Sequence, residues 1–186
     1  MPRCERTYER INQNWQFTGP DGKTIPVNLP HTWNAEDGQD GGNDYYRGTC
    51  WYVKSFTRED LQAAGYAGEG RVYLEFGGAA MSAVVYVNGE KVTEHRGGYS
   101  AFRVDLTDMI AEDKTAVNTL AVAVCNEDNE TVYPQKADFT FYGGLYRDVK
   151  LIVVPEAHFH LDWCGAPALK ITPQICWKDA DGNCID

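Results

Sequence analysis

Apolar and polar side chains alternate along much of this chain. In Arg71–Phe76 (RVYLEF), Val72, Leu74 and Phe76 fall on one face, with Tyr73 and Glu75 on the other. That period of two is what a strand with one buried face requires. Leu120, Val122 and Val124 repeat the pattern, as do Val149, Leu151 and Val153, and residues 51–56 (WYVKSF) form another short strand. Residues 83–87 (AVVYV) run into Asn88-Gly89 and then Glu90-Lys91-Val92. Asn-Gly between two apolar runs predicts a two-residue hairpin, because a type I′ turn needs two residues at positive φ.

Helical patterning is sparse. Residues 58–64 predict one short helix with Thr57 as its N-cap, and 107–111 (TDMIA) a single capped turn. Short strands about 8–12 residues apart, separated by turn residues, predict an all-β sandwich or jelly roll, an architecture that also hides strand edges. Pro155 closes this unit after the strand ending at Val154. Beyond it, 168–172 and 174–177 predict two more strands, with Asp181-Gly182-Asn183 as a turn. Two strands cannot hide their own apolar face, so Ile171, Ile175 and Trp177 need a partner outside the chain. We therefore expect a sandwich over residues 5–156 and the truncated start of a second β domain over 157–186.

Composition narrows the function more than the fold. The net charge of −10 and the lack of a Lys/Arg cluster argue against nucleic acid and anionic lipid as partners and leave neutral partners such as sugars open. The six cysteines (Cys4, Cys50, Cys125, Cys164, Cys176 and Cys184) contain no CxxC pair, so zinc spacing is absent. Cys50 and Cys125 lie in strand-like runs where Cys serves as a small apolar residue, and reduced thiols are the expectation. The first eleven residues (MPRCERTYERI) have no apolar segment of a leader, and no stretch reaches the ~18 apolar residues of a membrane span. The expectation is a cytoplasmic, soluble chain.

Chemistry-bearing residues gather in 138–149 (DFTFYGGLYRDV), an aromatic loop that ends in Gly143-Gly144 and enters a strand. Phe139, Phe141, Tyr142 and Tyr146 offer flat faces on which the C–H patches of a sugar stack, with nearby polar groups for its hydroxyls. The same aromatics equally serve to pack the loop on the core.

The segment Gly-Gly-Leu-Tyr-Arg-Asp-Val (143–149) resembles the one that closes the N-terminal domain of family 2 glycoside hydrolases. Others agree in order: VNLPHTW (27–33) with that family's L-P-H-T/D-W, and RGTCWYVK (47–54) with its G-x-x-W-Y-R-K, Val53 standing where Arg is common. YVNGE (86–90) and GGYSAFRVDLT (97–107) likewise match its V-N-G hairpin and its G-G-Y-x-x-F-x-x-D-I-T. The resemblance covers about residues 10–156, and the 38–47 loop (GQDGGNDYYR) looks most like β-galactosidases.

The resemblance implies a galactose-binding-domain-like jelly roll, followed by the start of an immunoglobulin-like sandwich. It implies a carbohydrate-binding, non-catalytic domain for a β-galactoside-like substrate. The two catalytic glutamates of the retaining reaction would lie on a separate barrel of a parent chain, whose N-x-x-R-x-x-H-Y-P motif is absent here. Asp138 aligns with an aspartate that reaches the active site, contacts sugar hydroxyls and helps ligate a monovalent cation, sodium; capping its own loop is the alternative. Asn43 and Asp44 are the next substrate-binding candidates by the same analogy, with Tyr142 as the stacking residue. In the parent the domain would shape the substrate pocket and support homo-oligomer contacts. Asn126-Glu127 superficially matches the family's acid/base pair but follows a sandwich strand, and is expected to be an acidic turn. Arg147 and Asp148 are expected to make structural bonds, and His31, Trp15 and Trp33 to belong to the fold. Two other readings remain: a free-standing carbohydrate-binding module, favoured by exposed aromatics around Tyr142, and a structural domain with no sugar contact, favoured by a bare apolar face near Trp163 and Trp177.

Overall fold

The computed structural model describes residues 6–35, 45–111, 113, 115–133, 141–161, 171–173, 175–178, 180–181 and 184–185. Ten strands form two antiparallel sheets: β1 (Thr7–Arg10), β2 (Trp15–Thr18), β3 (Thr24–Val27), β4 (Thr49–Phe56), β5 (Arg71–Phe76), β6 (Ser82–Val87), β7 (Glu90–Arg96), β8 (Phe102–Asp105), β9 (Asn118–Cys125) and β10 (Val149–Val154). One sheet has the order β1-β10-β5-β8, the other β3-β2-β4-β9-β6-β7. The all-β sandwich is therefore the observed architecture.

The core follows from the alternation. Val72, Leu74 and Phe76 of β5 are buried, as are Ala83, Val85 and Val87 of β6 and Leu120, Val122 and Val124 of β9. Trp15 and Phe17 add large apolar area from β2, and Cys50 is fully buried among them. Burial pushes the Cys50 thiol up to about 11, which suits an inert packing residue. Cys50 and Cys125 are free thiols, whereas Cys176 is disulfide-bonded, against the expectation of reduced cysteines throughout.

Local signals work as read. Asn88 and Gly89 have φ of 51° and 86° and join β6 to β7. Helix α1 (Arg58–Ala63) starts at Thr57, whose side chain accepts from the Asp60 backbone while the Asp60 carboxylate accepts from the Thr57 backbone, a complete capping box. The turn expected at 107–111 is a 3-10 turn over Thr107–Met109. Its bonds come from Asp105, which accepts from the Thr107 amide and hydroxyl.

After β10, residues 155–161 fold back over the outer face of the four-stranded sheet. Leu161 packs with Ile152 and Val154, His158 donates from Nδ1 to the Pro155 carbonyl, and Arg103 donates to the Leu161 carbonyl. Further on, β11 (Trp177–Lys178) pairs with β12 (Cys184–Ile185). The strands expected at 168–172 and 174–177 differ from this. Ala168, Leu169, Lys170 and Gln174 lie outside the described residues, and the chain at Ile171, Thr172, Ile175 and Cys176 is not paired as a strand. Ile171, Ile175 and Trp177 are 78%, 79% and 76% exposed, so among the described residues nothing covers these side chains, although Trp177 pairs with Ile185.

Candidate functional site

At one end of the sandwich the β3–β4 and β9–β10 connections meet, and a pair of buried asparagines ties them together. Asn126 continues the inward row Leu120, Val122, Val124 by one more step, so its side chain enters the interior although the strand has ended. Its Oδ1 accepts from the Gly48 amide at 2.9 Å. Its Nδ2 donates to Asn34 Oδ1 at 3.2 Å, to the Tyr46 carbonyl at 3.1 Å and to the Phe141 carbonyl at 3.4 Å. Asn34, also fully buried, accepts from the Gly143 amide at 2.8 Å and donates to the Tyr46 carbonyl at 3.1 Å. Buried amides must be satisfied or they cost the fold their desolvation. Here that requirement fixes Asn34, Tyr46, Gly48 and Gly143 relative to one another.

The glycines explain the close approach. A Cβ on Gly143 would overlap the Trp33 indole. One on Gly144, whose φ is 133°, would strike the His31 carbonyl oxygen and the Tyr52 hydroxyl. The Leu-Pro-His-Thr-Trp and Gly-Gly-Leu-Tyr segments are therefore two halves of one contact. Thr32 donates to the Gly143 carbonyl at 2.7 Å and the His31 amide to the Leu145 carbonyl at 2.9 Å. His31 Nδ1 and the Tyr52 hydroxyl share a 2.7 Å bond, and burial holds the imidazole below its ordinary pKa. His31 is structural, as expected.

Arg47 braces the outer side of this junction. Its guanidinium bonds the Tyr45 hydroxyl and Asp128 and lies 4.9 Å from the Tyr45 ring centre and 5.6 Å from that of Phe141. Phe141 is buried with Ala80, Met81 and Val132, and Tyr146, bonded to the Gly98 carbonyl, packs against them. These two aromatics pack the loop on the core.

Of the four expected sugar contacts, Tyr142 is half-buried beside this junction. Asn43, Asp44 and Asp138 lie outside the described residues, and with them the cation expected at Asp138. Among the described residues no group of three His, Cys, Asp or Glu could hold a metal. No described helix is long and apolar enough to cross a membrane. Arg147 and Asp148 do make structural bonds, each with its own partners. Arg147 donates to the Gly77 and Tyr99 carbonyls, and Asp148 accepts from Asn12 and pairs with Arg10. Glu127 is exposed on an acidic turn, while its neighbour Asn126 is committed to the interior.

The fold and this junction define an all-β sandwich domain with its connections braced at one end, and comparison with known proteins identifies its class. Residues 7–155 match the sugar binding domain of glycosyl hydrolases family 2, and the chain belongs to that family. It superposes on the crystal structure of an FMN-binding β-glucuronidase from Faecalibacterium prausnitzii L2-6 with a TM-score of 0.80 and 44% identity, over 96% of this chain and 27% of that one. It is 37% identical over 150 residues to a β-glucuronidase of Bacteroides fragilis, covering 78% of this chain and 20% of the relative. A β-galactosidase of Thermoanaerobacter pseudethanolicus is 32% identical over 152 residues, covering 81% and 20%. The chain thus spans about a fifth to a quarter of these relatives' lengths.

Proposed function

We propose that this chain forms the substrate-side wall of a longer family 2 β-glycosidase and does none of the bond breaking itself. The observation that carries this reading is the Asn34–Asn126 junction. It holds Asn34 and Tyr46, at either end of the 36–44 connection, and Phe141 and Gly143, next to the 134–140 connection. Segments held on rigid stems suit the positioning of polar groups against a sugar, and in the sequence these two segments carry Asn43, Asp44 and Asp138. Tyr142, half-buried, suits a wall completed by a second surface better than a free stacking platform. The exposed Ile171, Ile175 and Trp177 supply an apolar face for the remainder of such a chain.

The substrate we assign is a β-linked glucuronide, on the higher identity to β-glucuronidases. The second reading is a β-galactoside, on the likeness of the 38–47 loop and the β-galactosidase relative. Hydrolysis would use two carboxylates about 5–5.5 Å apart in a retaining enzyme, carried on another part of the parent.

The test is Asp138→Ala in a full-length enzyme bearing this domain, assayed with nitrophenyl glucuronide and nitrophenyl galactoside. Loss of a hydrogen bond that the Asp138 carboxylate accepts from a sugar hydroxyl should lower kcat/KM about tenfold or more on the true substrate, with an unchanged melting temperature. Unchanged kinetics on both substrates would remove Asp138 from the site.

A further inference from the structure

A cavity lies at the other end of β4, about 16 Å along the strand from Thr49 by the rise of a strand. It has a volume of about 600 Å³ and opens between the two sheets, under the connection from β1 to β2 and beside α1. Its deep wall consists of Phe56, Leu74, Leu106, Leu120 and Leu151, all buried side chains. Protein interiors hold few voids larger than a water molecule. Water against a leucine wall finds too few partners to be stable there.

Lys54 stands at this wall in an unusual place. It occupies the core-facing row of β4, between Tyr52 and Phe56 and opposite Leu120. The half-buried side chain lays its methylenes along the wall and carries its ammonium to the mouth. Its ammonium donates to the Gln13 carbonyl at 2.7 Å and lies 6.0 Å from the centre of the Trp15 ring, and it makes no ion pair among the described residues. The ammonium sits at the exposed mouth, where its other two N–H groups face solvent or a ligand entering from it. Burial holds its pKa below the ordinary lysine value, opposed by Asp60.

The other charges at the mouth are differently placed. Arg10 pairs with Asp148, and the Asp60 carboxylate accepts from the Thr57 amide and hydroxyl. Glu9, paired with Leu151 on the inner side of edge strand β1, is exposed at the lip. We propose that this cavity binds a small amphipathic monoanion, an alkyl carboxylate, whose carboxylate pairs with Lys54 and whose chain lies on the leucine wall. Glu9 disfavours a second negative charge on the same ligand, so a dianion is rejected at the lip. This site is independent of the sugar reading, since it shares no residue with the asparagine junction.

The probes are decanoate, decanol and the dianion sebacate, titrated calorimetrically into the 186-residue chain, with backbone amide shifts recorded alongside. Decanoate should bind with Kd below about 1 mM and shift the amides of Lys54, Phe56, Leu106 and Leu120. Lys54→Met should weaken decanoate roughly tenfold or more and leave decanol unchanged, since it removes a charge-assisted pair and little apolar surface. Lys54→Arg, which keeps the charge, should retain most of the binding and guards against a variant that fails to fold. No decanoate binding up to about 10 mM would overturn the proposal, as would equal effects of Lys54→Met on decanoate and decanol, or shifts confined to other surfaces.

Discussion

Asn126 shows how much a single side chain can be asked to do. Its amide satisfies the Gly48 amide, Asn34 and the Tyr46 and Phe141 carbonyls, all in the interior. Asn126→Ala should leave several of these groups unpaired and, at about 1–3 kcal/mol for a buried orphan, destabilise the fold by roughly 3 kcal/mol. Urea unfolding of the variant measures this, and a loss under about 1 kcal/mol would show that water replaces the amide. Read from the sequence alone, this residue falls on an acidic turn, although the strand's period already points it inward. The inward row of β9 is Asn118, Leu120, Val122, Val124 and then Asn126, so the same period that marked the strand also aimed an asparagine inward at each of its ends. What the period lacked was the partners. Asn118 accepts from the Ala111 and Asn88 amide groups, and no spacing in the sequence links positions 88, 111 and 118. Asn34 was not singled out at all, because nothing near it in sequence says that it meets Asn126.

At the level of elements, legibility tracked length. The strands with six or more residues and a clear alternation, β4, β5, β6, β9 and β10, were visible in the sequence. β1, β2, β3 and β8 have four residues each, too few to establish a period of two, and their pairing is set by contacts with distant strands. β3 even contains Pro26, which demotes a strand in any local reading and is tolerated here because β3 is an edge. Helix α1 was legible because its start is chemical rather than periodic. Thr57→Ala removes one half of the capping box and should cost about 1 kcal/mol of stability. Chemical denaturation of the variant checks this, and an unchanged midpoint would mean that Leu61, buried beneath the helix, holds it without help.

For the molecule as a whole, burial of two imidazoles sets a pH dependence. His31 and His95 are both held below the ordinary histidine pKa, chiefly by desolvation. As the pH falls below about 6.5 the unfolded chain takes up protons at these sites before the folded one does, so stability rises with pH through this interval and is lost on acidification. The melting temperature should therefore drop between about pH 7 and about pH 5, and a His31→Gln, His95→Gln double variant should flatten that slope. A wild-type melting temperature constant over the interval would contradict the buried, neutral state of both rings. The partition of chemistry also belongs to this scale. The sandwich contributes stems and walls, while every residue expected to touch sugar, apart from Tyr142, sits in connections whose shape the alternating pattern does not encode.

The strand order carries a further consequence for how the chain is made. Every strand of the six-stranded sheet has been synthesised once Cys125 has left the ribosome, whereas the four-stranded sheet needs β10, between β1 and β5, before it can close. At about 5–20 residues per second, β1 waits for seconds with both edges bare while the rest of the chain emerges. Its inward-facing Glu9, a poor fit to any apolar partner met meanwhile, guards that edge during the delay.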